Sequence, residues 1–207
     1  MTSYTSIAAP VEAEIEAKRS RFLARLEPVA DEEAARAVVE TARRQHWDAR
    51  HHCSAFVLGP DGATTRCSDD GEPSGTAGSP MLEVLTGRAL TDVVAVVTRW
   101  FGGTLLGTGG LVRAYSDAVV AAVAVAETVT FELRELADVR VPMAESGRLE
   151  NTLRSAGYGV TGADYAQDVT LHITVPVDRR DDLTETVAAA TAGIGVVQIT
   201  GTDWARI

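Results

Sequence analysis

A strand, a glycine-rich loop and an apolar stretch follow one another between residues 93 and 126, and this succession restricts the possible folds most. Residues 93–98 read VVAVVT, a nearly all β-branched and apolar run that is typical of a central strand covered on both faces. The loop RWFGGTLLGTGG follows, and then residues 111–126, which are mostly apolar but interrupted by Arg113 and Asp117. This last stretch is short for a membrane span and predicts a buried helix.

The other parts of the first 130 residues predict further strands and helices around this run. Residues 11–26 alternate polar and apolar side chains, which is the period of two expected for one or two half-buried strands. A helix is predicted directly after the capping residue Asp31. Residues 52–58 and 64–68 predict a hairpin, and the loop SDDGEPSGTAGSP then leads into the helical segment MLEVLTG.

After residue 130 the pattern changes to a shorter cycle of strands and helices. The predicted elements are a strand over residues 132–141, a helix over 143–155, a strand pair over 158–175, a helix over 180–192 and a strand over 195–200. Their order, βαββαβ, is that of the ferredoxin-like split motif. The sequence therefore predicts an α+β fold class with two domains, residues 1–130 and 131–207.

The net charge of −10 limits the partners that the chain can bind. Residues 1–130 carry 12 basic and 17 acidic side chains, and residues 131–207 carry 7 and 12, so neither domain is basic. Nucleic-acid binding would need a local cluster of arginines that acts against the overall field. The N-terminus lacks the layout of a signal peptide, and two cysteines are too few for a disulfide scaffold, which together predict a cytoplasmic location without a membrane anchor.

The glycine-rich loop resembles a phosphate-binding loop only in part. Gly102 and Gly107 have the outer glycine spacing of a P-loop, but Thr108 and Gly109 stand where that loop has lysine and then serine or threonine. The segment GTGGLV also lacks the spacing of the dinucleotide-binding fingerprint. Two interpretations stay open: the glycines let backbone amides at a helix N-terminus approach an anion, or they only permit a tight turn and close packing.

Histidine and cysteine residues on two strands that we expect to pair form a second candidate site. Adjacent residues on a strand face opposite sides, so His51 and His52 cannot both point into one site without a bulge. The spacing fits no paired-ligand zinc pattern, and Cys53 and Cys67 are interpreted as buried small apolar residues. We therefore predict no metal and no other cofactor, while a Cys/His hydrolase stays an alternative whose geometry the sequence does not show.

The loop between the hairpin and the next helix is of a length that is usually either functional or disordered in a compact domain. Its acidic residues Asp69, Asp70 and Glu72 could chelate a hard cation, face a basic patch on a partner or only form turns. Trp100 and Phe101, beside the glycine-rich loop, could be core residues or an exposed stacking surface.

Three segments together resemble the signature segments of the YigZ/IMPACT family: ARHHC, SDDGEPSGTAGSPML and VVTRWFGGTLLGTGGLVRAY, at residues 49–53, 68–82 and 96–115. The resemblance implies that residues 1–130 adopt the fold of the second domain of ribosomal protein S five, which is shared with domain four of elongation factor G. It also implies a ferredoxin-like second domain that resembles domain five of elongation factor G. The combination of these two folds indicates a function linked to the ribosome or to RNA.

The sequence and the resemblance together favour a translation-associated regulatory or interaction protein over an enzyme. We expect the two loops to converge on one face of the first domain, with Arg99, Arg113 and Asp70 as polar anchors for RNA, the ribosome or a translation-factor partner. The alternative is a phosphate- or nucleotide-binding enzyme that uses the glycine-rich loop. The candidate binding residues are Asp69, Asp70, Glu72, Ser74, Gly75, Thr76, Arg99, Trp100, Phe101, Gly102, Gly103, Gly107, Thr108, Gly109, Gly110 and Arg113.

Overall fold

The computed structural model describes residues 1–207 and divides into two compact units. The first unit comprises residues 1 and 3–130, and the second comprises residues 2 and 131–207. Two antiparallel sheets, each with helices packed against it, account for most of the chain, so the predicted α+β class is confirmed.

The first unit is built on a five-stranded sheet with three helices. Its elements in chain order are β1 (Ser3–Ile7), β2 (Val11–Ala17), β3 (Ser20–Pro28), α1 (Glu32–Gln45), β4 (His51–Leu58), β5 (Thr64–Ser68), α2 (Gly78–Gly87), β6 (Val93–Trp100) and α3 (Thr108–Val125). The sheet order is β2-β3-β6-β4-β5, and each neighbouring pair is antiparallel. The apolar strand β6 therefore lies at the centre, as its sequence predicts, and β4 and β5 form the predicted hairpin.

Strand β6 separates two apolar layers. Val94 and Val96 belong to the cluster that contains the buried face of α1, whereas Ala95 and Val97 belong to the cluster that contains α2 and α3. This alternation is the consequence of successive side chains pointing to opposite faces of a sheet. Because both faces are covered, the strand can be apolar along its whole length.

The helices begin where the sequence provides the local signals. Asp31 caps α1 by accepting a hydrogen bond from the backbone N–H of Ala34 at 2.8 Å.

By length and composition alone α3 could cross a membrane, and it is the one helix that could. Its buried residues pack in the core of the first unit: Leu111, Ala114, Tyr115, Ala118, Val119 and Ala122.

Strand β1 is an element that the sequence analysis did not predict. Its sequence SYTSI shows neither an apolar run nor a clear alternation. Contacts with distant residues order it: the Ser6 hydroxyl donates to the carbonyl of Asp92 at 3.2 Å, and Thr5 forms a bridge with Leu90. A segment that is ordered by partners far along the chain leaves little trace in its own residues.

The second unit has the element order βαββαβ. Its elements are β7 (Thr128–Pro142), α4 (Met143–Ser155), β8 (Gly159–Tyr165), β9 (Asp168–Pro176), α5 (Arg180–Ala190) and β10 (Val196–Arg206). These four strands are antiparallel in the order β10-β7-β9-β8. Alternate residues of β7 and β9 pack with Leu149, Leu153, Leu183 and Val187 of the two helices to form the core.

Candidate functional site

Two glycine-containing loops of the first unit lie side by side and line a cleft of about 440 Å3, which we call the loop cleft. The first loop, residues 69–77, joins β5 to α2, and the second loop, residues 101–108, follows β6 and ends at the first residue of α3. Glu72 and Pro73 of the first loop line one part of it. The second loop contributes Phe101 and residues 105–108, so the predicted convergence of the loops is present in the structure. Charged and apolar side chains thus share one concave surface, as is usual for binding sites.

A buried ion pair forms the floor of the loop cleft. Arg99 donates from Nη1 to Oε1 of Glu72 at 2.6 Å, and the two side chains are 7% and 4% exposed. The hydroxyl of Tyr115 donates to the same oxygen at 2.7 Å. These bonds tie the first loop to β6 and to α3, because the three residues come from those three parts of the chain.

The carboxylate of Asp69 shapes the first loop. It accepts hydrogen bonds from the backbone N–H groups of Gly75, Ala77 and Gly78 at 2.8–3.0 Å. Burial acts to raise the pKa of Asp69, but these three donors outweigh it and hold the pKa below its ordinary value. Asp69 is therefore an internal anchor of the loop.

Replacing Asp69 with alanine is expected to lower the free energy of unfolding by about 1–3 kcal/mol, because three backbone donors lose their acceptor. Because the folded-state pKa is depressed, the wild-type advantage is present above the unfolded-state pKa and is lost as the pH falls through the folded-state pKa. Urea unfolding of both proteins between neutral and acidic pH checks this. A difference that does not shrink with acidification would contradict this role of Asp69.

Two of the three expected polar anchors lie outside the loop cleft. Asp70 accepts hydrogen bonds from the backbone N–H of His52 at 2.7 Å and from Arg43 at 2.8 Å, so it links the loop to α1. Arg113 is exposed on α3 and does not line the cleft. Arg99 does line it, but its guanidinium is engaged by Glu72.

The remaining candidate residues of the first loop have mixed roles. Ser74 and Gly75 are exposed, and Gly75 has a φ of +74°, in the left-handed region that favours glycine. Thr76 is buried, and its hydroxyl donates to the carbonyl of Pro73 at 2.6 Å. These residues build the loop, whereas Glu72 and Pro73 are the loop residues that face the cleft.

The glycines of the second loop also differ in role. Gly107 lines the cleft, and it precedes α3 with a φ of +75° and no side-chain cap. Gly102 lies against the backbone of the β2–β3 turn. An added Cβ would meet nothing within 4 Å at Gly103 and Gly109, and only the side chain of Leu106 at Gly110. The tight-packing interpretation thus holds for Gly102, and the helix-terminus interpretation fits Gly107 and Thr108.

Basic and aromatic side chains cluster beside the cleft, at the end of the sheet where β6 ends and β4 begins. We call this group the basic end. Its members lie on three segments that meet there, namely the β2–β3 turn with the start of β3, the end of α1 with the α1–β4 connection, and the end of β6: Lys18, Arg19, Arg21, Arg44, Trp47, Arg50, Trp100 and Phe101. Arg21 stacks 3.8 Å from the ring centre of Trp100, Arg19 donates to the hydroxyl of Thr104 at 3.1 Å, and Arg50 lines the cleft. The sequence did not indicate the six members other than Trp100 and Phe101, because they come together through contacts between distant segments, such as the pairing of Arg21 with Trp100 between β3 and β6.

The histidine and cysteine candidates do not form a joint site. His51 contacts the carbonyl of Asp70 through Nδ1, and His52 contacts the carbonyl of His46 through Nε2. No three His, Cys, Asp or Glu side chains are arranged to hold a metal ion. Cys53 is buried, as predicted, but Cys67 is exposed because β5 is an edge strand, so its predicted burial is wrong.

The thiol of Cys53 is unsuited to act as a nucleophile. It donates to the carbonyl of Asp69 at 3.0 Å and lies 3.3 Å from the hydroxyl of Tyr115. Burial raises the pKa of Cys53 to about 12. Since the thiolate is the reactive form, the structure gives the Cys/His hydrolase alternative no support.

Comparison with known proteins identifies both parts of the chain. The model of the Impact N-terminal domain matches residues 18–123, and a domain of unknown function (DUF1949) matches residues 139–193. The IMPACT family member YvyE of Bacillus subtilis is 37% identical over 191 residues, which cover 92% of this chain and 88% of YvyE. The chain belongs to the IMPACT family. The resemblance drawn from its three motif segments is therefore confirmed.

Other IMPACT relatives agree with this assignment. The IMPACT family member YigZ of Escherichia coli is 51% identical over 121 residues, 58% of this chain and 59% of YigZ. A crystal structure described only as an hypothetical protein has 37% identity and a TM-score of 0.68, and the match covers 97% of this chain and 98% of that one. The loop cleft and the basic end both lie within residues 18–123, the part that matches the Impact N-terminal domain.

Proposed function

We propose that this IMPACT-family protein is a translation-associated interaction protein that binds single-stranded RNA through the basic end of its first unit. The observation that carries the proposal is that five exposed cations and three aromatic rings lie at one end of the sheet of the first unit, although the protein as a whole has a net charge of −10. Basic side chains interleaved with aromatic rings are the usual surface for single-stranded nucleic acid.

The charges of the basic end are available to phosphate groups. Lys18, Arg44 and Arg50 form no ion pair, and the pair of Arg21 with Glu14 spans 3.8 Å between half-exposed side chains. Of the nearby carboxylates, Asp70 and Glu72 are paired with Arg43 and Arg99. Asp48 accepts only from the neutral indole of Trp100, and Glu14 and Glu16 lie on the strand beside Arg21, so these three keep their negative charge but are outnumbered by the five cations. The basic end therefore offers a local positive field against the overall negative charge.

The aromatic rings provide stacking surfaces next to these cations. Trp47 is 83% exposed and Phe101 is 53% exposed, although both are large apolar side chains. Base–aromatic stacking contributes about 1–3 kcal/mol per base and tolerates any base. Exposed rings beside cations fit a ligand that alternates phosphates and bases.

The architecture supports the link to translation. For the first unit we propose the fold of the second domain of ribosomal protein S five, and for the second unit the ferredoxin-like fold, on the basis of its βαββαβ order and its strand order β10-β7-β9-β8. Both folds occur together in elongation factor G, which favours a cytoplasmic protein that works with the ribosome or with a translation factor. This step is an analogy of fold, whereas the RNA proposal rests on the basic end.

The proposal is tested with a labelled single-stranded oligoribonucleotide and an Arg21→Ala/Arg50→Ala variant. We expect the variant to bind more weakly to RNA of every sequence. The slope of the logarithm of the binding constant against the logarithm of the salt concentration should also be smaller in magnitude by about 1.4, because two phosphate contacts, each contributing about 0.7 to the slope, are lost. The matched control is Arg88→Ala/Arg113→Ala, which removes two exposed arginines outside the basic end. Equal losses in both variants, or no binding by wild type at low salt, would contradict the proposal.

Co-sedimentation with ribosomes tests the translation link separately. Wild type is expected in the ribosomal fraction at low salt, and the Arg21→Ala/Arg50→Ala variant is expected to be depleted from it. If the protein binds RNA but does not co-sediment with ribosomes, ribosome binding is contradicted and only the RNA-binding part of the proposal stands.

One observation favours a second candidate, a phosphate- or nucleotide-binding enzyme. The N-terminus of α3 opens onto the loop cleft, and neither a side-chain cap nor an acidic residue occupies its first turn. Such a protein would be stabilised by a mononucleotide with magnesium through mass action and would consume it. A thermal-shift screen combined with a turnover assay separates this candidate from a pure RNA-binding protein.

A further inference from the structure

We infer that the loop cleft holds one unstacked nucleotide of the bound RNA, with the base inside the cleft and the adjoining phosphate at the N-terminus of α3. The inference rests on the proposed RNA binding and specifies what its central subsite accepts. Three features of the cleft carry it: its apolar walls, an unused acceptor on its floor and a free helix terminus at its rim.

The walls suit a flat and largely apolar ring. Pro73, Phe101, Leu105, Leu106 and Leu111 line the cleft, whose volume of about 440 Å3 is within the usual range for small-ligand sites. Leu105 is 81% exposed and Phe101 is 53% exposed, so the lip presents apolar surface to water. A base that enters between them would bury this surface and stack on the ring of Phe101.

The floor offers a hydrogen-bond acceptor that the protein leaves unused. Glu72 is about nine-tenths buried, and its Oε1 accepts from both Arg99 and Tyr115. Its Oε2 accepts no hydrogen bond, although the residue lines the cleft, and Nε of Arg99 is buried without a partner. An N–H donor on the edge of a base would satisfy the carboxylate, whereas a lone anion would be repelled by it.

The rim offers a site for the phosphate. Gly107 and Thr108 line the cleft and start α3, an 18-residue helix. The first backbone N–H groups of a helix have no partner within it, and the helix dipole favours a negative charge there. Because Gly107 has no side chain to cap them, these donors stay open to a ligand phosphate.

The three features together fit a nucleotide better than other small anions. A free phosphate would bind at the helix N-terminus but would leave the apolar walls exposed to water. A small carboxylate would also leave the walls exposed, and it brings no N–H donor for Oε2 of Glu72, the oxygen that neither Arg99 nor Tyr115 contacts. A nucleotide unit brings a flat ring, an N–H edge and a phosphate in one connected group, and the neighbouring Arg50 can contact the next phosphate of the chain.

The test uses an oligonucleotide of N3-methyluridine, whose bases carry no N–H donor, with a single central 2-aminopurine, whose fluorescence rises when the base leaves its stacked neighbours. Binding to wild type is expected to raise the fluorescence. Phe101→Ala/Leu105→Ala is expected to weaken binding about tenfold and to abolish this rise, because the stacking contact is lost. Val120→Ala, which shortens an apolar residue of α3 with 37% exposure outside the cleft, is the matched control and should behave as wild type.

A second oligonucleotide tests the acceptor on the floor. Purine riboside has the ring of 2-aminopurine without an N–H donor on its edge, so an otherwise identical oligonucleotide should compete about tenfold less well. Equal competition would overturn the assigned role of Glu72 and with it the inference. RNA binding seen by anisotropy without a fluorescence rise would overturn base insertion and leave the proposed function standing. Absence of RNA binding would remove the proposed function itself.

Discussion

Replacing Gly102 with alanine is expected to destabilise the first unit by at least about 3 kcal/mol, because the added methyl group has no room. Its Cβ would overlap the carbonyl carbon and oxygen of Arg19 and lie 2.5 Å from the backbone nitrogen of Ser20. These atoms are backbone and cannot rotate away as a side chain can. Either the glycine-rich loop or the β2–β3 turn must therefore move.

Gly109→Ala is the matched control for this prediction. Gly109 belongs to the same loop sequence and the first turn of α3, and an added Cβ would meet nothing within 4 Å. Alanine there should change the free energy of unfolding by less than about 0.5 kcal/mol or stabilise the helix slightly. Urea unfolding in a Trp204→Phe background makes the remaining Trp47 and Trp100 fluorescence report the first unit. Similar losses in both variants would refute the packing argument.

The contact at Gly102 also links the two parts of the candidate site. The β2–β3 turn contains Lys18 and Arg19, both with positive φ, and it lies directly on Gly102. The backbone N–H of Gly102 donates to the hydroxyl of Ser20 at 3.1 Å. Close approach at this glycine thus fixes two cations of the basic end against the loop that forms the cleft. RNA binding and stability should fall together in the Gly102→Ala variant.

Local patterns in the sequence predicted the elements that lie around the site. The β-branched run of β6 identifies a covered strand, Asp31 identifies the start of α1, and the second unit follows its predicted βαββαβ order. In each case the signal lies within the element itself, in its periodicity, its cap or its composition. The family resemblance depends on the same local strings, and the comparisons confirm it.

Charge placement could not be predicted in the same way. Arg99 lies near the end of the apolar strand β6 and was expected to meet a ligand, but the structure pairs it with Glu72, 27 residues away. Arg21 and Trp100 meet because of strand register, which no local pattern reveals. Whether an arginine is free or paired depends on contacts between distant segments, so the candidate list contained Arg99 and Arg113 and missed Arg21 and Arg50.

Arg99→Ala is expected to lower the free energy of unfolding of the first unit by about 3–5 kcal/mol, since it leaves the buried carboxylate of Glu72 without its cation. Arg154→Ala is the matched control, because it removes an arginine from the 2.8 Å pair with Glu150 on the exposed face of α4. That exposed pair should contribute less than about 1 kcal/mol. Urea unfolding of both variants measures the difference.

Two further variants separate the lost charge from the lost side-chain volume. Arg99→Met keeps most of the apolar stem, so it should be nearly as destabilising as Arg99→Ala if the unpaired carboxylate is the cause. Adding Glu72→Gln to Arg99→Met removes the buried charge and should recover most of the stability. Stability within about 0.5 kcal/mol of wild type for Arg99→Met alone would contradict this account. Because an Arg99 variant loses stability, weaker RNA binding by that variant would reflect unfolding and not the loss of a contact with RNA. Contact with RNA is therefore tested at exposed arginines such as Arg21 and Arg50.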